Sequence, residues 1–213
     1  MKYNQLSLAS PRSAHSLMLQ MMGTKPGQIL DVGCSTGLMA GRLTERGNSV
    51  VGIEMDPDRA RLAERFCRRV INADVSSGNV FEQLGEAFDV IIFGDVLEHL
   101  LNPEDVLRRC KVCLKPGGFV IASIPNIANY RVRIGLLMGR FRYEDEGLLD
   151  RTHVRFFTQA TALEMVSAAG FRVVERRFSA YRLPRVLLEA LPGLFAVQFV
   201  LKATPSGIDD CAA

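Results

Sequence analysis

An apolar strand, a glycine-bounded turn and a helix follow directly on one another in ILDVGCSTGLMAGRLTERG, residues 29–47. Ile29, Leu30 and Val32 supply the strand, with Asp31 near its end. Gly33 and Gly37 bracket the turn, and Leu38, Met39 and Leu43 recur at helical spacing. A strand that runs through a tight turn into a helix is the nucleotide-binding corner of a doubly wound sheet. Glycine is needed there because a side chain would hold a ligand away from the backbone. The first N–H groups of the helix have no partner within it and are free to meet ligand atoms.

The rest of the chain repeats this unit. Strands are expected at 49–55, 70–74, 88–95 and 119–126, and Val90–Phe93 is apolar throughout, as in a strand buried on both faces. Between them lie a helix over 56–69, capped by Asp56 with Pro57 at its first position, another near 80–86, and a third that starts near Pro103 and stops at Pro116-Gly117-Gly118. A helix over 158–171, capped by Thr158 and stopped by Gly170, leads to a strand over 172–180. A proline-bracketed helix in RLPRVLLEALPG then leads to a last strand over 195–205. The pattern predicts an α/β, Rossmann-like doubly wound sheet of seven strands, mostly parallel with the last strand antiparallel, and helices on both faces. One domain is expected over 1–205, with an arm and helix over 1–25 whose cap is Ser10-Pro11, a lid insertion over 127–157, and a flexible tail over 206–213.

With 213 residues, 48% of them hydrophobic, the chain can bury a sizeable core. A net charge of +3 is too small to argue for nucleic acid. The N-terminus lacks the apolar centre of a signal peptide, and no apolar run is long enough for a membrane span. Five cysteines without extracellular signs point to reduced thiols and a cytoplasmic protein. Cys110 and Cys113 form a lone C-x-x-C that is read as helix packing rather than a zinc or redox pair.

Three acids follow the ends of successive strands. Glu54 stands 21 positions after Gly33, where a carboxylate grips ribose hydroxyls. Asp74 is placed to accept a hydrogen bond from an adenine amino group. Asp31 would repel a pyrophosphate but suits an ammonium, so a nucleoside that ends in an amino acid is favoured over a dinucleotide. A hydride enzyme would also show G-x-G-x-x-G, which is missing here.

Together ILDVGCSTG, VVGIEMDP, NADV and FDVIIFGDVLEHLLNPEDVLRRCKVCLKPGGFVIASIPN resemble the class I S-adenosylmethionine-dependent methyltransferases, with Ser35 where the family commonly has a third glycine. The resemblance implies S-adenosyl-L-methionine as cofactor. It places Asp31, Gly33, Cys34 and Gly37 around the methionine part, Glu54 on the ribose, Met55 against the adenine, Asp74 and Val75 at the adenine edge, and Gly94 and Asp95 beside the sulfonium.

The acceptor is approached through Asp95-x-x-Glu98-His99, at the carboxyl edge of the fourth strand, and through His153 in RTHVRFFT. An oxygen nucleophile must lose a proton, so His99 and His153 are the candidate catalytic residues. Asp95, Glu98, His99 and His153 are also candidate ligands of a divalent cation. The layout resembles metal-using methyltransferases of coenzyme Q catechols and of RNA 3′-ends, with Asp95 where the former often carry Glu. Purely structural histidines are the third reading. In the lid, Arg131, Arg133, Arg140 and Arg142 alternate with apolar residues, which suits either an anionic, lipid-like or membrane partner or a plain amphipathic cover. Tyr130, Tyr143 and Arg151 are candidate substrate-wall residues. The expected activity is O-methylation of a small-molecule acceptor. The alternative is a methyltransferase-like regulatory partner similar to the methionine-biosynthesis type. The final strand and LPRVLLEALPGLF are candidates for a homodimer surface.

Overall fold

The computed structural model describes residues 10–180 and 184–207. The expectations for the first nine residues, for most of the tail and for Cys211 lie outside the described residues. A seven-stranded sheet runs in the order β3-β2-β1-β4-β5-β7-β6. Its strands are β1 (Gln28–Val32), β2 (Ser49–Glu54), β3 (Arg69–Asn72), β4 (Phe88–Gly94), β5 (Leu114–Pro125), β6 (Phe171–Ser179) and β7 (Gln198–Pro205). The first five pair in parallel, and β7 inserts antiparallel between β5 and β6. The expected architecture is therefore the observed one. The chain order reverses beside β1 and β4, and ligands in such sheets bind outside the carboxyl ends of the strands at that switch.

Alternation along the strands divides the core. Leu30, Val32, Ile53, Ile91, Phe93 and Phe199 pack on one face with Phe88 and Leu107. Ile29, Val50, Ile92, Ile121 and Val200 pack on the other, under α1 (Ala14–Met21) and α2 (Leu38–Glu45). α1 lies against the sheet, with Met18 fully buried near Gly94.

Several boundaries differ from the sequence expectation, each for a local reason. α1 is capped by Ser13, whose hydroxyl accepts from Ser16 N at 3.2 Å, while Ser10 only opens the preceding turn. α3 (Pro57–Ala63) keeps its Asp56 cap but stops well before residue 69, because Cys67 turns inward and β3 starts at Arg69. The segment near 80–86 forms only a 3₁₀ turn, Glu82–Leu84. α4 (Pro103–Cys110) ends in a second 3₁₀ turn, Lys111–Cys113, and β5 begins at Leu114 rather than 119. Cys110 and Cys113 are both buried and unpaired. The lid holds one helix, α5 (Tyr130–Leu137). α6 (Gln159–Ala168) has the expected Thr158 cap, and Gly170 follows it with φ +74°. α7 (Arg185–Ala190) and the single turn α8 (Pro192–Phe195) precede β7. Among the described residues no helix is long and apolar enough to cross a membrane.

Candidate active site

The glycine turn is held from below by β2. Gly33 N and Cys34 N both donate to Ile53 O, at 2.8 and 3.1 Å. Gly33, Ser35 and Gly37 all have positive φ, of 70°, 50° and 81°. Glycine is required at two of these places by close packing. A Cβ on Gly33 would lie 2.6 Å from Val96 Cγ2, and one on Gly37 would lie 2.9 Å from Phe66 Cδ2. Ser35 keeps its unusual backbone with help from Glu54, whose Oε2 accepts Ser35 N at 2.8 Å. Oε1 of Glu54 accepts Asp56 N at 2.9 Å, so this carboxylate ties the turn to the start of α3. Each oxygen keeps a second lone pair for a further donor.

Asp31 is the penultimate residue of β1 at only 3% exposure, and its Oδ2 has no hydrogen-bond partner among the described residues. Burial, helped by the nearby charge of Glu54, pushes its carboxyl up to about 7. A buried carboxylate without a partner is costly, and a cationic ligand group would relieve it. Cys34 turns away from the cleft toward Gly52 and Cys67, and its hydrogen bond with Cys67, then burial, push its thiol up. Only its backbone is then at the turn. Met55 lies beyond β2 and is exposed. Asp74 is not on a strand, because β3 ends at Asn72. It sits in a turn, with Oδ1 accepting Ser76 N at 2.8 Å, next to the buried Val75.

At the end of β4, Gly94 pairs in register with Ser123 on β5. Asp95 follows with φ +55°. Its Oδ1 accepts Gln198 Nε2 at 2.6 Å and Ser123 Oγ at 2.5 Å. Ser123 and Gln198 carried no signal in the sequence, because only the β4–β5–β7 order brings them to Asp95. The next residues form no α-helix; a 3₁₀ turn, Leu97–His99, takes its place.

That turn places Glu98, His99 and His153 together, with one potential ligand atom from each lying within 4.8 Å of the others. Asp95 is not in this group. Glu98 is 1% exposed, and neither carboxylate oxygen has a hydrogen-bond partner among the described residues. His153 Nε2 lies 3.9 Å from Oε1. Burial and then the charge of Asp95 raise the Glu98 carboxyl well above the usual range. Burial and then His99 lower the pKa of His153. The tautomer of His99 follows from its neighbours. Its Nδ1 lies 3.1 Å from Thr152 O, which only accepts, and 3.2 Å from Thr152 Oγ1, whose hydrogen goes to Asp150 Oδ1 at 2.6 Å. Nδ1 therefore carries a proton, and in the neutral ring Nε2 keeps a lone pair.

The lid joins this cluster through a file of rings. His99 and His153 centroids are 4.8 Å apart, His153 and Phe156 6.4 Å, Phe156 and Phe141 6.1 Å, and Phe141 and Tyr143 5.5 Å. Tyr143 thus connects to the histidines through Phe141 and Phe156, which sequence reading missed. Tyr130 packs instead on Phe195, and Arg151 pairs with the exposed Asp145 at 2.7 Å. Neither is part of the file. Asn126 and Asn129, both buried, fasten the base of the lid to Ala196 O, each at 2.9 Å.

The methyltransferase domain family matches residues 9–176. A ubiquinone biosynthesis O-methyltransferase of Coxiella burnetii is 24% identical over 162 residues, covering 73% of this chain and 68% of that protein. Its counterpart in Cereibacter sphaeroides is 26% identical over 155 residues, covering 70% and 62%. Among solved structures, an S-adenosylmethionine-dependent methyltransferase of Archaeoglobus fulgidus superposes with a TM-score of 0.64 at 17% identity, covering 89% of this chain and 91% of that one. A Burkholderia thailandensis 1,6-didemethyltoxoflavin-N1-methyltransferase with bound S-adenosylhomocysteine gives 0.61 at 22% identity, covering 92% and 78%. The family match takes in the glycine turn, the strand-end acids and both histidines, and the chain belongs to the methyltransferase domain family.

Proposed function

We propose that this methyltransferase moves the methyl group of S-adenosylmethionine to an oxygen of a small, ring-bearing acceptor. The observation that carries the reading is the pair of imidazoles beside the end of β4, one with a defined lone pair, joined by aromatic rings to the lid. The donor supplies an electrophilic methyl on a sulfonium. On this reading the unpartnered oxygen of Asp31 receives the donor's ammonium, Glu54 its ribose, and Asp74 and Val75 its adenine. His99 Nε2 takes the acceptor's hydroxyl proton as the oxygen attacks in line, and Thr152 and Asp150 hold the ring for that task. The ring file suits a flat aromatic acceptor, and relatives named for ubiquinone biosynthesis make a phenol or catechol the first class to try.

A second reading is favoured by one observation, the two unpartnered oxygens of buried Glu98. Glu98, His99 and His153 fit a divalent cation, which would remove the cost of that carboxylate and lower the pKa of a bound hydroxyl. The test is release of labelled methyl from the donor to a panel of mono- and dihydroxy aromatics, with and without chelator. Turnover that survives chelation and falls in His99→Gln supports the base. Turnover lost on chelation and restored by magnesium or zinc supports the cation. Calorimetric binding of S-adenosylhomocysteine with no turnover on any hydroxylated acceptor would overturn the catalytic reading in favour of a regulatory partner.

A further inference from the structure

One guanidinium holds the whole turn after β3. Arg109, near the end of α4, donates through Nη1 to Ser77 O at 2.9 Å and Gly78 O at 3.2 Å. Through Nη2 it donates to Val75 O at 3.2 Å and Ser76 O at 3.4 Å. Nε is anchored on Asp105 Oδ2 at 2.9 Å, one helical turn away. All five N–H groups of the side chain are therefore committed, four of them to consecutive carbonyls of one short turn. The side chain is 22% exposed and lies over the Phe81 ring at 5.8 Å. Inside the turn, Asp74 binds its own neighbours, Ser76 N through Oδ1, and Ser77 N and Ser77 Oγ through its carbonyl.

We infer that Arg109 is a positioning residue for base recognition, setting Asp74 and Val75 at the adenine edge by fixing the turn from behind. The inference rests on the donor-pocket reading above. Four carbonyls directed at one cation form a built receptor, and a planar fork is the only side chain that spans them. A lysine would supply charge but not the spread of donors. Without the fork the carbonyls turn to water, and the turn gains conformations that must be lost again when the base binds. Asp74 accepts from the 6-amino group of adenine, so a 6-oxo base in the same place meets an acceptor instead of a donor partner. Holding Asp74 still is what converts that mismatch into discrimination.

The test compares binding of S-adenosylhomocysteine with that of its deaminated analogue, S-inosylhomocysteine, by calorimetry on the whole chain. Wild type is expected to prefer the adenine compound by about tenfold or more. Arg109→Lys and Arg109→Met are expected to weaken S-adenosylhomocysteine about tenfold, to change the inosine compound less than about threefold, and so to bring the preference near unity. Asp105→Asn, which loosens the Nε anchor without touching the turn, shifts the preference the same way by less, and keeps the test available if an Arg109 variant does not fold. Folded variants that retain the wild-type preference overturn the inference while donor binding stands. A wild type that binds both compounds equally overturns the role of Asp74 and with it that of Arg109. A wild type that binds neither overturns the donor pocket itself.

Discussion

Replacing Asp31 by Asn offers a quantitative check on the donor pocket. The carboxyl has an ordinary value of 3.8, and in the folded protein burial and Glu54 lift it to about 7. A folded pKa above the unfolded one means that the folded state binds the proton more tightly. Stability therefore falls as pH rises from about 4 toward 7, and the full cost, about 4 kcal/mol, is present above that range. Between pH 5 and pH 8 the same linkage predicts that wild type loses about 2.5 kcal/mol through this one group. The amide of the variant does not titrate. Other groups behave alike in both proteins, so the difference isolates Asp31. Urea unfolding of both proteins at pH 5 and pH 8 reads it directly, and Asp31→Asn gains about 2.5 kcal/mol relative to wild type across that interval. Saturating S-adenosylhomocysteine should offset that gain, because a ligand at a hundredfold excess over its Kd stabilises only the protein that binds it, by about 2.7 kcal/mol. A stability difference that is the same at both pH values would refute the argument that Asp31 is an unpartnered buried acid.

Gly33→Ala combines a left-handed backbone with a Cβ 2.6 Å from Val96 Cγ2, and it should cost about 3 kcal/mol in chemical unfolding. Adding Val96→Ala removes the clash and leaves the backbone strain, so the double variant should regain part of what the single one lost. At Asp95, Ser123→Ala and Gln198→Leu each remove a donor from the same oxygen. Each should lose about 2 kcal/mol of stability, and a double-mutant cycle should show losses that do not add, since the two bonds share one acceptor. Additive losses would mean that the two donors act independently.

The glycine turn, the alternating strands and helices, and Glu54 at the end of β2 were legible because each rests on a local rule. Where a positive φ coincides with close packing, as at Gly33 and Gly37, the turn must find glycine, and a strand buried on both faces must be apolar along its length. Thr158 and Asp56 cap their helices because an N-cap is decided within three or four residues. Short elements were less legible: α3 stops at Ala63 because Cys67 is drawn into the core, which propensity cannot report. The candidate site divided in the same way. Glu98, His99 and His153 could be named from the sequence, but Asp95 could not be separated from them. Their separation depends on Gln198 and Ser123, which are far apart in the chain and reach Asp95 only because β5 lies between β4 and β7. The proton on His99 Nδ1 likewise depends on Thr152, 53 residues away. Periodicity and turn chemistry act over a few residues and fix which elements form. Burial, tautomer and the partner of each carboxylate depend on which strand ends become neighbours, and that is settled only when the sheet is assembled.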